Sequence, residues 1–156
     1  MSQLRRVTRT YVQRLAAPPE RVMPLLTAAR ENEWAAMFQP RILHPGEPPG
    51  GLHGVFVTGE GREKTLWTMT AFDPAAGHVA YFRTIPGTLA VHIEIRLARE
   101  DVGRCRATVT YTYAALRPAG NQRVEAMTEE RYREQMVEWE RALNHYLATG
   151  QRLGNY

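Results

Sequence analysis

The chain has 156 residues, 44% of them hydrophobic and 23% charged, a balance that suits one globular domain, spanning residues 1–156, with a core of its own. Its formal charge of +4 comes almost wholly from arginine, since Lys64 is the sole lysine, and the arginines are scattered among acids such as Glu129, Glu130, Glu134, Glu138 and Glu140; that pattern argues against a nucleic-acid-binding face. No apolar run nears the ~18 residues of a membrane span, the arginine-interrupted start is not expected to act as a secretory signal, and the lone Cys105 has no disulfide partner, so a cytoplasmic location is expected.

Residues 4–15 (LRRVTRTYVQRL) read as a first strand, with Val7, Tyr11 and Leu15 on one face and Thr8, Thr10 and Val12 on the other. AAPPERV at 16–22 announces a helix, because proline is tolerated in a first turn and Glu20 suits the positive end of the helix dipole. Pro24 should keep that helix short. A second short helix over 30–38 would place Trp34, Met37 and Phe38 on one side. Pro45, Gly46, Pro48, Pro49, Gly50 and Gly51 then form a breaker-rich loop between strands near 41–44 and 53–58.

Gly59 and Gly61 mark a hairpin leading into a strand over 63–72, and further turns at 73–77, 86–87 and 101–103 separate strands over 78–85, 88–99 and 104–116. Regular turns between alternating segments predict an antiparallel meander. The alternation is clearest at the end of the series. Leu89, Val91, Ile93, Ile95 and Leu97 share one face, as do Cys105, Ala107, Val109, Tyr111 and Tyr113, which predicts a sheet covered on one side. The cover is a C-terminal helix with Thr128 as N-cap, Gly150 as its stop, and Tyr132, Met136, Trp139, Leu143 and Tyr146 as an apolar stripe.

This order of elements resembles the START-like, or SRPBCC, superfamily, which includes polyketide cyclases, pollen-allergen-like proteins and lipid-transfer domains. The phrases AAPPERV (16–22), TLWTMTAFDP (65–74), TVTYTYAAL (108–116) and WERALNHYLATG (139–150) look like bacterial members of it, and the resemblance covers nearly the whole chain. It implies an α+β helix-grip fold: a curved antiparallel sheet wrapped around a long C-terminal helix, with two short helices after the first strand. It also implies a pocket for an apolar or aromatic small molecule. It carries over no catalytic set, because the superfamily has no single one.

No dinucleotide fingerprint, phosphate loop, nucleophile elbow or paired-cysteine spacing is present, and no cofactor or metal is implied. The histidines lie on different elements; His44 and His53 flank the loop without a carboxylate or cysteine at ligand spacing. Trp34, Phe38, Trp67, Met69, Tyr81, Tyr111, Tyr113, Met136 and Trp139 are candidates to line one space, although core packing alone would explain Met136 and Trp139. The direction of Trp67 is open, since Leu66, Thr68 and Phe72 form a competing face. Arg9 and Arg83 fall on apolar faces by parity, and such an arginine needs an anion, a route to the edge, or a wet cavity. Arg83 is therefore the candidate for an acidic or carbonyl group of a ligand.

Three functions remain open. The first is binding or transport of a hydrophobic or aromatic small molecule, with the loop over 45–51 as a mobile lip. The second is a cyclase- or hydratase-like enzyme in which Arg83 steadies an enolate-like oxygen while Tyr111 or Tyr113 donates a proton. The third is a co-chaperone-like interaction module, which predicts a filled interior and an exposed apolar patch. A homodimer is left open.

Overall fold

A computed structural model describes residues 3–154. Alternating apolar residues build seven strands: β1 (Arg6–Leu15), β2 (Arg41–His44), β3 (Val55–Thr58), β4 (Thr65–Asp73), β5 (His78–Ile85), β6 (Leu89–Asp101) and β7 (Arg104–Ala115). They pair antiparallel in the order β1-β7-β6-β5-β4-β3-β2. The buried series on β6 and β7 is the one the alternation predicts, running from Leu89 to Leu97 and from Cys105 to Tyr113.

The long helix α3 (Glu129–Thr149) covers the inner face of this curved sheet, giving the α+β helix-grip architecture. The Thr128 hydroxyl accepts from the Arg131 amide, and Gly150 ends the helix at φ 72°. Tyr132, Met136, Trp139 and Leu143 are buried, and burying each of the aliphatic ones contributes about 1.5–3 kcal/mol. Between β1 and β2 lie α1 (Pro19–Val22) and a 3-10 turn at Met23–Leu26; a further helix, α2 (Asn121–Ala126), precedes α3.

The polar contacts that α3 makes with the sheet run to one side of it. The Tyr132 hydroxyl donates to the Val109 carbonyl (2.7 Å), and Gln13, only 1% exposed, donates through its amide to the Met136 carbonyl (3.2 Å). Glu140 accepts from the Arg14 amide and the Tyr11 hydroxyl, while Asn144 bonds both the Ala16 amide and the Arg14 carbonyl. These side chains satisfy backbone groups at and just beyond the free edge of β1, which would otherwise be open to pairing with another chain.

Two expectations need correcting, and one open question is answered. The segment over 30–38 forms only a 3-10 turn at Glu31–Glu33, and Met37 is 85% exposed instead of sharing a face with Trp34 and Phe38. Residues Gly61–Glu63 form a 3-10 turn, so β4 begins at Thr65. The open direction of Trp67 is resolved by a bulge: the β4–β5 register shifts between Met69 and Ala71, leaving Thr70 as the extra residue. Trp67 and Met69 pair with Arg83 and Tyr81, and after the bulge Phe72 pairs with buried Val79, so Trp67, Met69 and Phe72 all turn inward while Leu66 stays outside.

Gly77 turns the chain into β5 at φ 66°, and a Cβ there would lie 2.4 Å from the Leu97 carbonyl oxygen. Gly77→Ala is expected to cost about 1–3 kcal/mol, read as a lower urea midpoint with an unchanged slope.

Candidate functional site

Strand register brings the candidate residues together in two neighbouring rows across the inner face. One row runs Phe56, Trp67, Arg83, Val91, Tyr113, Val7; the next runs Met69, Tyr81, Ile93, Tyr111, Arg9. The small side chain of Val91 separates Arg83 from Tyr113. Where these rows pass beneath α3, the helix and the β4–β5 side of the sheet enclose an open cavity of about 590 Å³. Trp67, Arg83, Tyr111, Met136 and Trp139 line it, with Glu31 from the 3-10 turn and Glu134, Gln135 and Glu138 along the helix rim.

The two inward arginines differ. Arg9 donates through Nε to the Met127 carbonyl (3.0 Å) and lies 3.7 Å from Glu129. Arg83 lies with its guanidinium carbon 5.4 Å from the Trp67 ring centre, a cation–π contact, and no acceptor among the described residues takes a hydrogen bond from it. Arg83 is half-buried and lines the open cavity.

Tyr111 is half-buried, with ring centres of Tyr113 and Tyr132 at 5.7 and 5.6 Å. Tyr113 is 2% exposed, and burial pushes its phenol up to about 12, partly offset by the positive charges of Arg83 and Arg9. It packs behind Tyr111 and does not line the cavity. Trp34 is buried, stacks on Trp139 at 5.9 Å, and donates its indole N–H to the Leu25 carbonyl (2.8 Å). The Trp139 indole N–H is buried with no acceptor among the described residues, a cost of about 1–3 kcal/mol.

Met69 and Tyr81 face elsewhere. With Phe56 they line a second cavity of about 720 Å³, bounded by residues 23–30 and by the proline- and glycine-rich segment 42–54. Phe38 lies between the two spaces, edge-on to Phe56 (5.9 Å) and Trp67 (5.8 Å). The candidate residues thus divide between two cavities and the packing that surrounds them. The loop over 45–51 borders the larger cavity, and its Glu47 and Leu52 exchange backbone hydrogen bonds of 2.8 and 3.1 Å, so it is a closed miniature hairpin.

Sequence reasoning missed Glu31. Burial pushes its carboxyl up to about 8, which leaves it neutral at pH 7 inside the cavity that holds Arg83. The signal available was its position three residues before Trp34, one turn away on the same side of a short helical segment. Glu134, Gln135 and Glu138 looked like ordinary solvated positions; Glu138 is paired with Arg141 at 3.0 Å, and the three form the rim.

Other reactive groups lie apart from the site. Burial pushes the Cys105 thiol up to about 11. His53 pairs with Glu47 (2.7 Å) and His78 with Glu94 (2.6 Å), while His92 packs against Phe82 on the outer face. Among the described residues no cluster of three His, Cys, Asp or Glu side chains is placed to hold a metal, and no helix is long and apolar enough to cross a membrane.

No family profile matches the sequence, and no curated protein matches it. Solved structures do match its shape. Norcoclaurine synthase from Thalictrum flavum, solved with dopamine and hydroxybenzaldehyde, superposes at TM-score 0.66 with 10% identity, covering 93% of this chain and 88% of the other. The Zhui aromatase/cyclase from a Streptomyces species gives 0.63 with 20% identity, covering 97% and 100%. Ara h 8.0201 gives 0.61 with 16% identity, covering 93% and 99%. At these identities the likeness is one of architecture. The chain has the α+β helix-grip fold that these proteins share.

Proposed function

We propose that the protein binds an aromatic or hydrophobic small molecule bearing an anionic or carbonyl oxygen, in the cavity between α3 and strands β4, β5 and β7. The observation that carries this reading is Arg83. Its half-buried guanidinium faces the open cavity beside Trp67 and Tyr111, and no acceptor among the described residues is bonded to it. A half-buried cation bonded to no acceptor of the protein is open to an anionic or carbonyl partner, and a ligand oxygen is one that its fork of donors fits. Trp67, Met136 and Trp139 supply the apolar walls for a ring. The hollow interior speaks against a filled-core interaction module.

A second reading, cyclase- or hydratase-like chemistry, is favoured by Glu31. A neutral carboxyl, a phenol from Tyr111 and the Arg83 cation border one cavity. Arg83 would steady an enolate-like oxygen while the neutral Glu31 carboxyl or the Tyr111 phenol donates a proton to the neighbouring carbon; in the reverse direction the ionised fraction of Glu31 would take that proton off.

Arg83→Leu is expected to weaken binding of 8-anilinonaphthalene-1-sulfonate, an anionic aromatic probe, by roughly tenfold or more, about 1.4 kcal/mol, in a fluorescence titration. Unchanged affinity would remove Arg83 from the site. The enzymatic reading predicts deuterium uptake from solvent at the carbon beside the carbonyl of a bound aryl ketone, followed by NMR. Uptake by the native protein no faster than by Arg83→Leu would leave binding alone.

Glu31 also predicts a pH dependence of stability. Its folded pKa is raised from an ordinary 4.5, so the folded state holds the extra proton between the two values. Its contribution is fully present below about pH 4.5 and is lost as pH rises to about 8. Subtracting the melting curves of Glu31→Gln from those of the native chain isolates this term, a relative loss of about 1–3 kcal/mol in the native chain between pH 5 and 8. Parallel curves for the two proteins would contradict it.

A further inference from the structure

The larger cavity, about 720 Å³, shares no lining residue with the one that holds Arg83. Between them stands a wall of four rings. Phe56 stacks on Trp67 at 5.4 Å, Tyr81 meets both edge-on at 6.0 Å, and Phe38 closes the group. Phe56 and Tyr81 face the larger space, whereas Trp67 faces the smaller. The wall is held by its polar tips: the Tyr81 hydroxyl donates to the Leu26 carbonyl (2.7 Å), and the Trp67 indole donates to the Thr58 hydroxyl (2.8 Å).

The polar inventory of the larger cavity differs from that of its neighbour. The Thr27 hydroxyl donates to the Pro24 carbonyl (2.8 Å), Glu20 is paired with Arg99, and Arg30 with Glu33. With Tyr81 bonded as well, the interior presents Met23, Ile42, Phe56, Met69 and Phe72 and no uncommitted charge; exposed His44 stands at the rim. A guest there gains apolar contact and would forfeit the hydration of any charge it carried. The volume lies in the range of about 300–1,000 Å³ that small-molecule sites occupy.

The roof is the miniature hairpin over 45–54. His53 and Gly54 bond the two sides of Met69 on β4 (2.9 and 3.3 Å), and the Gly50 backbone lies so close on the Phe72 ring that a Cβ there would come within 2.3 Å of it. We propose that this cavity is a second, independent binding chamber for a neutral, apolar small molecule, entered beneath the hairpin and separated from the Arg83 site by the four-ring wall.

The test uses two probes of the same ring skeleton, neutral N-phenyl-1-naphthylamine and its sulfonated relative 8-anilinonaphthalene-1-sulfonate. Ala28→Phe fills the chamber from the 23–30 side, and Ile42→Trp narrows its mouth from an already exposed position. Each is expected to weaken the neutral probe at least about tenfold while leaving the sulfonate unchanged, with Arg83→Leu doing the reverse. Native mass spectrometry should then show the unmodified protein carrying one molecule of each probe. Failure of the neutral probe to bind, mutual exclusion of the two probes, or unaltered neutral binding in folded Ile42→Trp would overturn the second chamber. The Arg83 site would be untouched by those results.

Discussion

Glu140 and Asn144 bind the exposed backbone of Arg14 and Ala16, and this attachment governs where the molecule is solid and where it is hollow. With Tyr132 bonded to Val109 and Gln13 bonded to Met136, the helix is tied to β1 and β7. An edge strand needs its free donors and acceptors covered, and meeting that need with side chains of α3 fixes the helix laterally. A sheet of seven strands is wider than one helix, whose diameter with side chains is about 10–12 Å. The β4–β5 side is consequently roofed by the short segments around Glu31 and Trp34 and by aromatic rings, with space left between them.

The site's electrostatics follow from that partial cover. Arg9, beneath the part of the sheet near the start of α3, finds the Met127 carbonyl and Glu129. Arg83 lies three strands further across, where the register puts an indole beside it and no carboxylate is bonded to it. Glu31 borders the same space but is held neutral there, so it does not cancel the guanidinium's charge at pH 7. A cation and a proton-bearing acid beside the apolar walls of Trp67, Met136 and Trp139 are a combination suited to meeting an oxygen atom on an otherwise apolar guest.

Much of this was legible in the chain. Period-two alternation in β5, β6 and β7 placed Tyr81, Arg83, Tyr111 and Tyr113 on the inner face, and spacings of three and four placed Met136 and Trp139 there too. What alternation cannot report is which inner-face residue meets a void and which meets another side chain. Tyr113 and Tyr111 look alike in sequence, yet one is packed and the other lines the cavity. Glu31 escaped because a three-residue turn has no period to read, and Met37 was misplaced because a full helical turn was assumed where the chain makes only a tight one. Phe72 and Trp67 seemed to conflict because one extra residue at a bulge leaves no mark in composition.

That extra residue, Thr70, has an evolutionary corollary. Ahead of it β4 furnishes Trp67 to one compartment; around and beyond it the same strand furnishes Met69 and Phe72 to the other. A single stretch of backbone therefore borders both cavities, each lined by its own few side chains. Drift at position 67 would remodel one cavity and drift at 69 or 72 the other, so the shapes of the two are free to diverge without any rearrangement of the scaffold that carries both.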